Sequence, residues 1–182
     1  MTLFHKIYPN ENSSESLFIL HGLFGMLDNW HNMARKLAQH YTVITVDQRN
    51  HGHSPHSTEM SFELMANDLA ELMDHLSIEK AHVLGHSMGG KTAMRFALEN
   101  NDMVDKLIVL DMAPKQYTNR HQQVFDAMAA IDLDTLEHRK DARDTLLNML
   151  SGDMATTAFL LKNINESHHN QHHIFSYNMS LI

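Results

Sequence analysis

The 182-residue sequence contains no cysteine and no apolar run approaching the length of a membrane span, and its basic residues are outnumbered by acidic ones. The absence of cysteine excludes a disulfide framework, a thiol nucleophile and a cysteine-based zinc site. With 14 Lys and Arg against 22 Asp and Glu, the formal net charge is -8, which argues against nucleic acid and anionic membranes as partners. The first ten residues also lack the long apolar segment of a signal peptide. We therefore expect a cytoplasmic protein.

Residues 81–90 read AHVLGHSMGG and form the most informative segment of the chain. The pattern Gly85-x-Ser87-x-Gly89 follows a short apolar run and precedes a helical stretch, which is the strand–turn–helix setting of a nucleophile elbow. On so sharp a turn only glycine leaves room for the neighbouring strand and helix. The pattern therefore predicts Ser87 as a catalytic nucleophile. A chance match in a glycine-rich turn is the alternative, and the flanking elements argue against it.

A second segment is expected to complete the site. The apolar run Ser16–Leu20 predicts a buried strand that ends in the sequence His21-Gly-Leu-Phe-Gly. In an elbow-type hydrolase, one oxyanion donor is the N–H of the residue after the nucleophile, here Met88, and the other comes from such a loop. We predict the N–H of Leu23 as the second donor, and contact of Leu23, Phe24 and Met88 with the acyl group. His21 is interpreted as a residue that pins the loop.

Residues 42–54, TVITVDQRNHGHS, predict a strand followed by a polar turn. Asp47, Arg49 and His51 offer an acid, a cation and a base, so a second reactive site is one interpretation. A structural network that holds the strand end is the other, and we favour it because polar groups in a crowded turn need partners.

Strand patterns alternate with amphipathic helices through the first two thirds of the chain, which predicts a parallel sheet with helical crossovers. Strands are expected at 2–8 (an edge strand), 16–20, 43–46, 81–84 and 106–110, and helices at 28–40, 61–77 and 91–99. Ser61 is a predicted N-cap. After Asp111 we expect no strand for about sixty residues, and helices near 119–130, 133–150 and 153–165 instead. The histidine-rich stretch 167–173 is interpreted as a solvated loop rather than a metal site.

The chain resembles the YbfF-type esterases of the α/β-hydrolase superfamily and the abhydrolase-domain-eleven group. The resemblance rests on four segments in this order: HGLFGMLDNW, VDQRNHGHSPH, LGHSMGGKTAM and KLIVLDMAPKQYTNRH. It implies an α/β-hydrolase fold, with helices on both faces of a mostly parallel sheet and an inserted helical cap. It also implies a serine hydrolase that needs no cofactor and acts on small-molecule acyl esters or thioesters. The expected organisation is a hydrolase core at 1–113, a cap at 114–175 and the start of a return to the core at 176–182.

Nucleophilic serine needs a base and an acid that orients the base, and in this superfamily they follow in the order Ser, Asp or Glu, His. Asp111 ends the predicted strand 106–110 and is the candidate acid, although the acid can also follow a later strand. No histidine after Ser87 follows a strand expected in the main sheet, so we expect the base to be missing and the last strands and helices of the fold to be absent.

The sequence leaves two other functions open. The first is a catalytically inactive fragment that serves as a binding or interaction protein, and the second is a different α/β-hydrolase chemistry such as carbon–carbon bond hydrolysis. A truncated sheet would expose an apolar edge, so we also expect poor activity and self-association through that edge.

Overall fold

The computed structural model describes residues 1–117, 121–166, 173–175 and 177. The chain divides into two compact units, Met1–Pro114 and Lys115–Ile182, and each is described by itself.

The first unit contains one five-stranded sheet of order β1-β3-β2-β4-β5. Strand β1 is antiparallel to β3, and the other three pairings are parallel. The sequence predicts that the strand before Ser87 and the strand before Asp111 are parallel neighbours. This prediction is confirmed, because Val83 of the first strand pairs with Leu107 of the second. The strands are β1 (His5–Tyr8), β2 (Ser16–Leu20), β3 (Thr42–Val46), β4 (Ala81–His86) and β5 (Val104–Leu110).

Three helices connect these strands: α1 (His31–Leu37), α2 (Phe62–His75) and α3 (Met88–Glu99). A short 3-10 turn, Leu27–Trp30, precedes α1. The segment 28–40, predicted as one helix, therefore begins with this turn and not with an α-helix. The predicted N-cap of α2 is confirmed, because the Ser61 hydroxyl accepts a hydrogen bond from the N–H of Leu64 at 3.1 Å.

The apolar side chains of the sheet point alternately to two cores, as the period of a strand requires. Phe18 and Leu20 of β2 pack with residues of α2 and α3 on one face. Leu17 and Ile19 of the same strand pack on the other face with Ala34 and other residues of and around α1. Helices therefore cover both faces of the sheet, as the α/β-hydrolase expectation requires.

The second unit is helical and also contains two short strands. Its elements are α4 (Gln122–Ala129), α5 (Arg139–Met149), α6 (Met154–Leu161), β6 (Ile164–Glu166) and β7 (His173–Phe175). Because β6 and β7 pair antiparallel, the prediction that no strand follows Asp111 for about sixty residues is wrong. Each strand has only three residues, too few for a period of two to show in the sequence.

Most of the histidine-rich stretch predicted as a solvated loop lies outside the described residues. Within the described part of the chain, no helix combines the length and the apolar character needed to cross a bilayer.

Candidate active site

Ser87 occupies the turn between β4 and α3 with a strained backbone, φ 53° and ψ −115°. Residues with a β-carbon rarely adopt a positive φ, and such strain persists only where surrounding contacts enforce it. One such contact is the hydrogen bond from the N–H of Ser87 to the carbonyl of Leu110, at 3.0 Å. Ser87 lies between the carboxyl end of β4 and the first turn of α3. The backbone N–H groups at the start of a helix favour negative charge.

The glycines of the G-x-S-x-G pattern are required by close backbone approach. A β-carbon on Gly89 would lie 2.5 Å from the carbonyl oxygens of Leu20 and His21, and one on Gly85 would lie 2.7 Å from the α-carbon of Gly90. Real β-carbons do not approach other atoms so closely. The helix α3 can thus pack directly on the ends of β2 and β4 only with glycine at both positions.

The loop after β2 lies against the nucleophile. A β-carbon on Gly22 would be 3.3 Å from the β-carbon of Ser87, and the N–H of Gly25 donates to the carbonyl of Gly22 at 2.9 Å, which closes a tight turn. Leu23 is half-buried inside this turn, and Phe24, at φ 57°, is 3% exposed.

The two predicted oxyanion donors lie in two segments next to Ser87, the first turn of α3 and the loop after β2. Met88 is the first residue of α3, and Leu23 directly follows Gly22. Among the described residues, neither the N–H of Leu23 nor that of Met88 donates to a backbone oxygen outside its own helix or strand.

His21 is buried and uses both ring nitrogens within the protein. Its Nδ1 lies 2.8 Å from the carbonyl oxygen of Gly22, and its Nε2 accepts a hydrogen bond from the N–H of Gln48 at 3.0 Å. Burial, together with the nearby ring of His51, lowers the pKa of His21 from 6.5 to about 3. The ring is therefore neutral near pH 7, with Nδ1 as the donor. The amide of Gln48 also donates to the His21 carbonyl at 2.6 Å, so this residue holds the loop on two sides.

Asp111 directly follows β5 and, like Ser87, has a positive φ, here 55°. Its carboxylate is largely exposed, and its Oδ2 lies 3.9 Å from Nε2 of His86. The His86 ring also meets the Trp30 ring edge-on, with centroids 6.3 Å apart. The structure thus brings Asp111 and Ser87 to the same edge of the sheet, and it places His86, which precedes the nucleophile and so breaks the chain order expected of a triad base, beside both.

The polar turn after β3 is a network of fixed partners. The carboxylate of Asp47 accepts from the N–H of Leu27 at 2.7 Å and from that of His53 at 2.9 Å. Arg49 donates to both carboxylate oxygens of Asp68, at 2.6 and 2.9 Å. These contacts favour the structural interpretation of this turn, because Asp47 binds backbone N–H groups and Arg49 binds a carboxylate of α2, and they do not converge on one reactive point.

No histidine occurs between Met88 and Pro114. The six histidines that follow Ser87 in the sequence, at positions 121, 138, 168, 169, 172 and 173, all belong to the second unit. Of these, positions 168, 169 and 172 lie outside the described residues.

The sequence profile of the alpha/beta hydrolase fold matches residues 15–167. The chain therefore belongs to the α/β-hydrolase family, as the resemblance of its motifs implied.

Relatives with established names lie within the same family. The chain is 38% identical over 154 residues to "Esterase YbfF" of Escherichia coli (strain K12), covering 84% of this chain and 60% of that protein. It is 36% identical over 174 residues to "sn-1-specific diacylglycerol lipase ABHD11" of Danio rerio, covering 91% of this chain and 55% of that protein. The chain thus spans somewhat more than half the length of the curated relatives it matches.

Among solved structures, the chain is similar to one titled "Marine microorganism esterase", with a TM-score of 0.94 and 38% sequence identity. The match covers 100% of this chain and 70% of that one.

Proposed function

We propose that the protein is a carboxylesterase or acyl thioesterase whose nucleophile is Ser87. The observation that carries this proposal is the strained turn that holds Ser87 between the first turn of α3 and the Gly22 loop. Strained backbone of this kind concentrates at functional sites, and here it holds a hydroxyl-bearing residue at the carboxyl edge of the sheet, directly before the first turn of α3. The names of the similar proteins, which are esterases and a lipase, support the same reaction class.

The proposed reaction has two acyl-transfer steps. The Oγ of Ser87 forms a bond to the acyl carbonyl carbon and gives its proton to a base, while the N–H groups of Leu23 and Met88 stabilise the oxyanion. The carbon–oxygen or carbon–sulfur bond then breaks, and the alcohol or thiol leaves with that proton. Water releases the acid from the acyl-enzyme by the same route. Leu23, Phe24 and Met88 are proposed to contact a small to medium apolar acyl group.

His21 is proposed to act through the loop rather than on the substrate. It is 1% exposed and both of its ring nitrogens have partners, so it fixes the position from which Leu23 donates. Asp111 is proposed as the carboxylate that orients the base, because it ends the strand beside the one that carries Ser87. We assign no histidine of this chain as the base.

We propose that 1–113 is the hydrolase core and 114–175 the helical cap, and that 176–182, of which only 177 is among the described residues, begin a return to the core. We also propose a cytoplasmic location, no cofactor, and self-association through β5.

A fluorophosphonate probe tests the nucleophile directly. Incubation of the purified protein, followed by proteolysis and mass spectrometry, should show one phosphonylated peptide, labelled at Ser87 and only slowly, because no base is assigned in this chain. The matched control is Ser87→Ala, which should remain unlabelled. Hydrolysis of p-nitrophenyl butyrate, measured in parallel, should depend on the same residue. Labelling at another serine, or equal turnover by the Ser87→Ala variant, would overturn the assignment, and no labelling at all would favour a binding protein without catalysis.

A further inference from the structure

Three titratable side chains meet at the end of the sheet opposite to Ser87. Glu15 precedes β2, His82 is the second residue of β4, and Asp105 is the second residue of β5. One ligand atom from each lies within 4.8 Å of the others. His82 lies on β4, five residues before Ser87 in the turn that follows that strand, so about 16 Å separates this cluster from the proposed nucleophile.

The central member of the cluster is a buried histidine with unsatisfied ring nitrogens. His82 is 3% exposed, and among the described residues neither its Nδ1 nor its Nε2 has a hydrogen-bond partner of acceptable geometry. Its ring is positioned by Tyr41, whose ring meets it edge-on with centroids 5.3 Å apart. Buried polar atoms without partners are uncommon and indicate an absent ligand or a functional role.

Two carboxylates flank this ring and have room to move. Nδ1 lies 3.3 Å from Oδ2 of Asp105, and Nε2 lies 3.5 Å from Oε1 of Glu15. Both carboxylates are about half exposed, at 42% for Asp105 and 53% for Glu15. Together with Lys80 they line a surface cavity of about 260 Å³ that opens to solvent. The Nζ of Lys80 lies 3.9 Å from Oδ1 of Asp105, so it faces the other oxygen of that carboxylate and leaves Oδ2 directed at the ring.

We propose that Glu15, His82 and Asp105 form a binding site for Zn²⁺ or a similar divalent transition-metal ion. Imidazole nitrogen and carboxylate oxygen are the donors that zinc takes in proteins, at about 2.0–2.2 Å. Ligands at that distance around a tetrahedral ion lie roughly 3.4 Å apart. Nδ1 of His82 and Oδ2 of Asp105, 3.3 Å apart, already have this spacing. The Glu15 carboxylate faces the other ring nitrogen, and its half-exposed side chain would turn to reach the same ion. One ring nitrogen and one oxygen from each carboxylate would bind the ion, with water in the remaining position.

The ion would join three neighbouring strands at their amino ends, and this placement sets its role. Because it is remote from Ser87, it would stabilise the sheet rather than take part in acyl transfer. An ion that binds the folded chain and not the unfolded chain raises the unfolding midpoint with concentration. Loss of two ligands should weaken binding by more than the roughly 10- to 100-fold that loss of an outer-sphere partner costs.

Zinc titration of the chelator-treated protein tests the proposal. The histidines of the stretch 167–173 would compete, so the parent for this test carries asparagine at positions 168, 169, 172 and 173. Calorimetry with ZnCl₂ should show a single strong site in this parent, and zinc should raise its unfolding midpoint. Glu15→Gln combined with Asp105→Asn should remove both effects, and these exposed positions leave the fold intact.

The matched control combines Glu11→Gln with Asp74→Asn, which changes the charge equally at two exposed carboxylates elsewhere in the first unit. It should keep the site and the shift in midpoint, and His82→Gln should lose both. The proposal is overturned if the parent binds no zinc at a single site, or if the Glu15/Asp105 double variant binds zinc as tightly as the parent. Turnover at Ser87 should be the same with and without zinc.

Discussion

Gly22 lies so close to Ser87, at the carboxyl edge of the sheet, that a side chain on it would crowd the serine. A β-carbon on Gly22 would lie 3.3 Å from the β-carbon of Ser87 and 3.1 Å from Nδ1 of His86. The φ of Gly22 is not in the left-handed region, so this glycine is required by space and not by backbone conformation. The loop that carries the proposed oxyanion donor Leu23 thus depends on the absence of a single side chain.

Replacement of Gly22 by alanine should slow acylation of Ser87 while leaving the fold nearly as stable. The added methyl group would have to displace Ser87 or His86 by a few tenths of an ångström, and small displacements of reacting groups can cost about 10²-fold in rate. The measurement is the rate of fluorophosphonate labelling, with the thermal midpoint measured on the same samples.

Gly152→Ala is the matched control for that variant. No atom lies within 4 Å of a β-carbon there, but φ is +83°, so alanine would be strained without crowding anything. This variant should lose about 1 kcal/mol of stability and keep the labelling rate. Equal labelling rates for Gly22→Ala and Gly152→Ala would show that the Gly22 contact has no catalytic consequence.

The backbone of Ser87 should store measurable strain. Glycine adopts φ 53°, ψ −115° more readily than any residue with a β-carbon. Ser87→Gly should therefore be more stable than Ser87→Ala by about 1–3 kcal/mol, although both variants lack the nucleophile. Urea unfolding of the two variants compares them directly. Indistinguishable unfolding free energies would mean that the turn is not strained.

Acid should destabilise the first unit through two buried histidines. Burial lowers the pKa of His21 to about 3 and that of His51 to about 4, from 6.5. Above pH 6.5 both rings are neutral in either state, whereas below it the unfolded chain takes up protons that the folded chain refuses. The free energy of unfolding should fall as pH drops from 6.5 towards 4, by up to about 1.4 kcal/mol per pH unit for each histidine.

Urea unfolding at pH 7.5 and pH 5.5 measures this effect. Asp47, whose pKa is raised by burial, has the opposite effect on stability at the acidic end of the range, because the folded chain binds this proton more readily than the unfolded chain does. In His51→Gln, the difference in unfolding free energy between pH 7.5 and pH 5.5 should be smaller by about 1.4 kcal/mol, the contribution of one histidine. A free energy of unfolding that does not change between the two pH values would refute the assignment.

The edge strand β5 should drive self-association. Leu107, Ile108 and Leu110 are 39%, 38% and 40% exposed, and they belong to a strand that forms the edge of the sheet. Unpaired apolar edges template pairing with other chains, and lysine on an edge prevents it. Leu107→Lys should shift sedimentation towards the monomer. Leu98→Lys, at a leucine of α3 that is 82% exposed, should not, and equal effects of the two variants would exclude the edge as the cause.

Much of the fold was predictable because strand and helix periods are local properties. The bounds of β2 agree with the prediction, and the Ser61 cap marks the start of α2 as expected. The bounds of β5 were less accurate, because its first residues, Val104 and Asp105, do not continue the apolar run. The helix predicted from 133 begins only at Arg139, and the two three-residue strands of the second unit were missed. Those strands depend on pairing with each other, which single-segment patterns do not contain.

The sequence by itself determined the elbow around Ser87, since glycine spacing, a preceding strand and a following helix all lie within twenty residues of each other. Only the tertiary structure decided that Gln48 clamps His21, that His86 faces Asp111, and that Glu15, His82 and Asp105 meet at the far end of the sheet. The physical reason is that these contacts depend on strand order and register. Parallel strands bring together residues that are tens of positions apart in the chain, and local residue patterns do not specify which strands become neighbours.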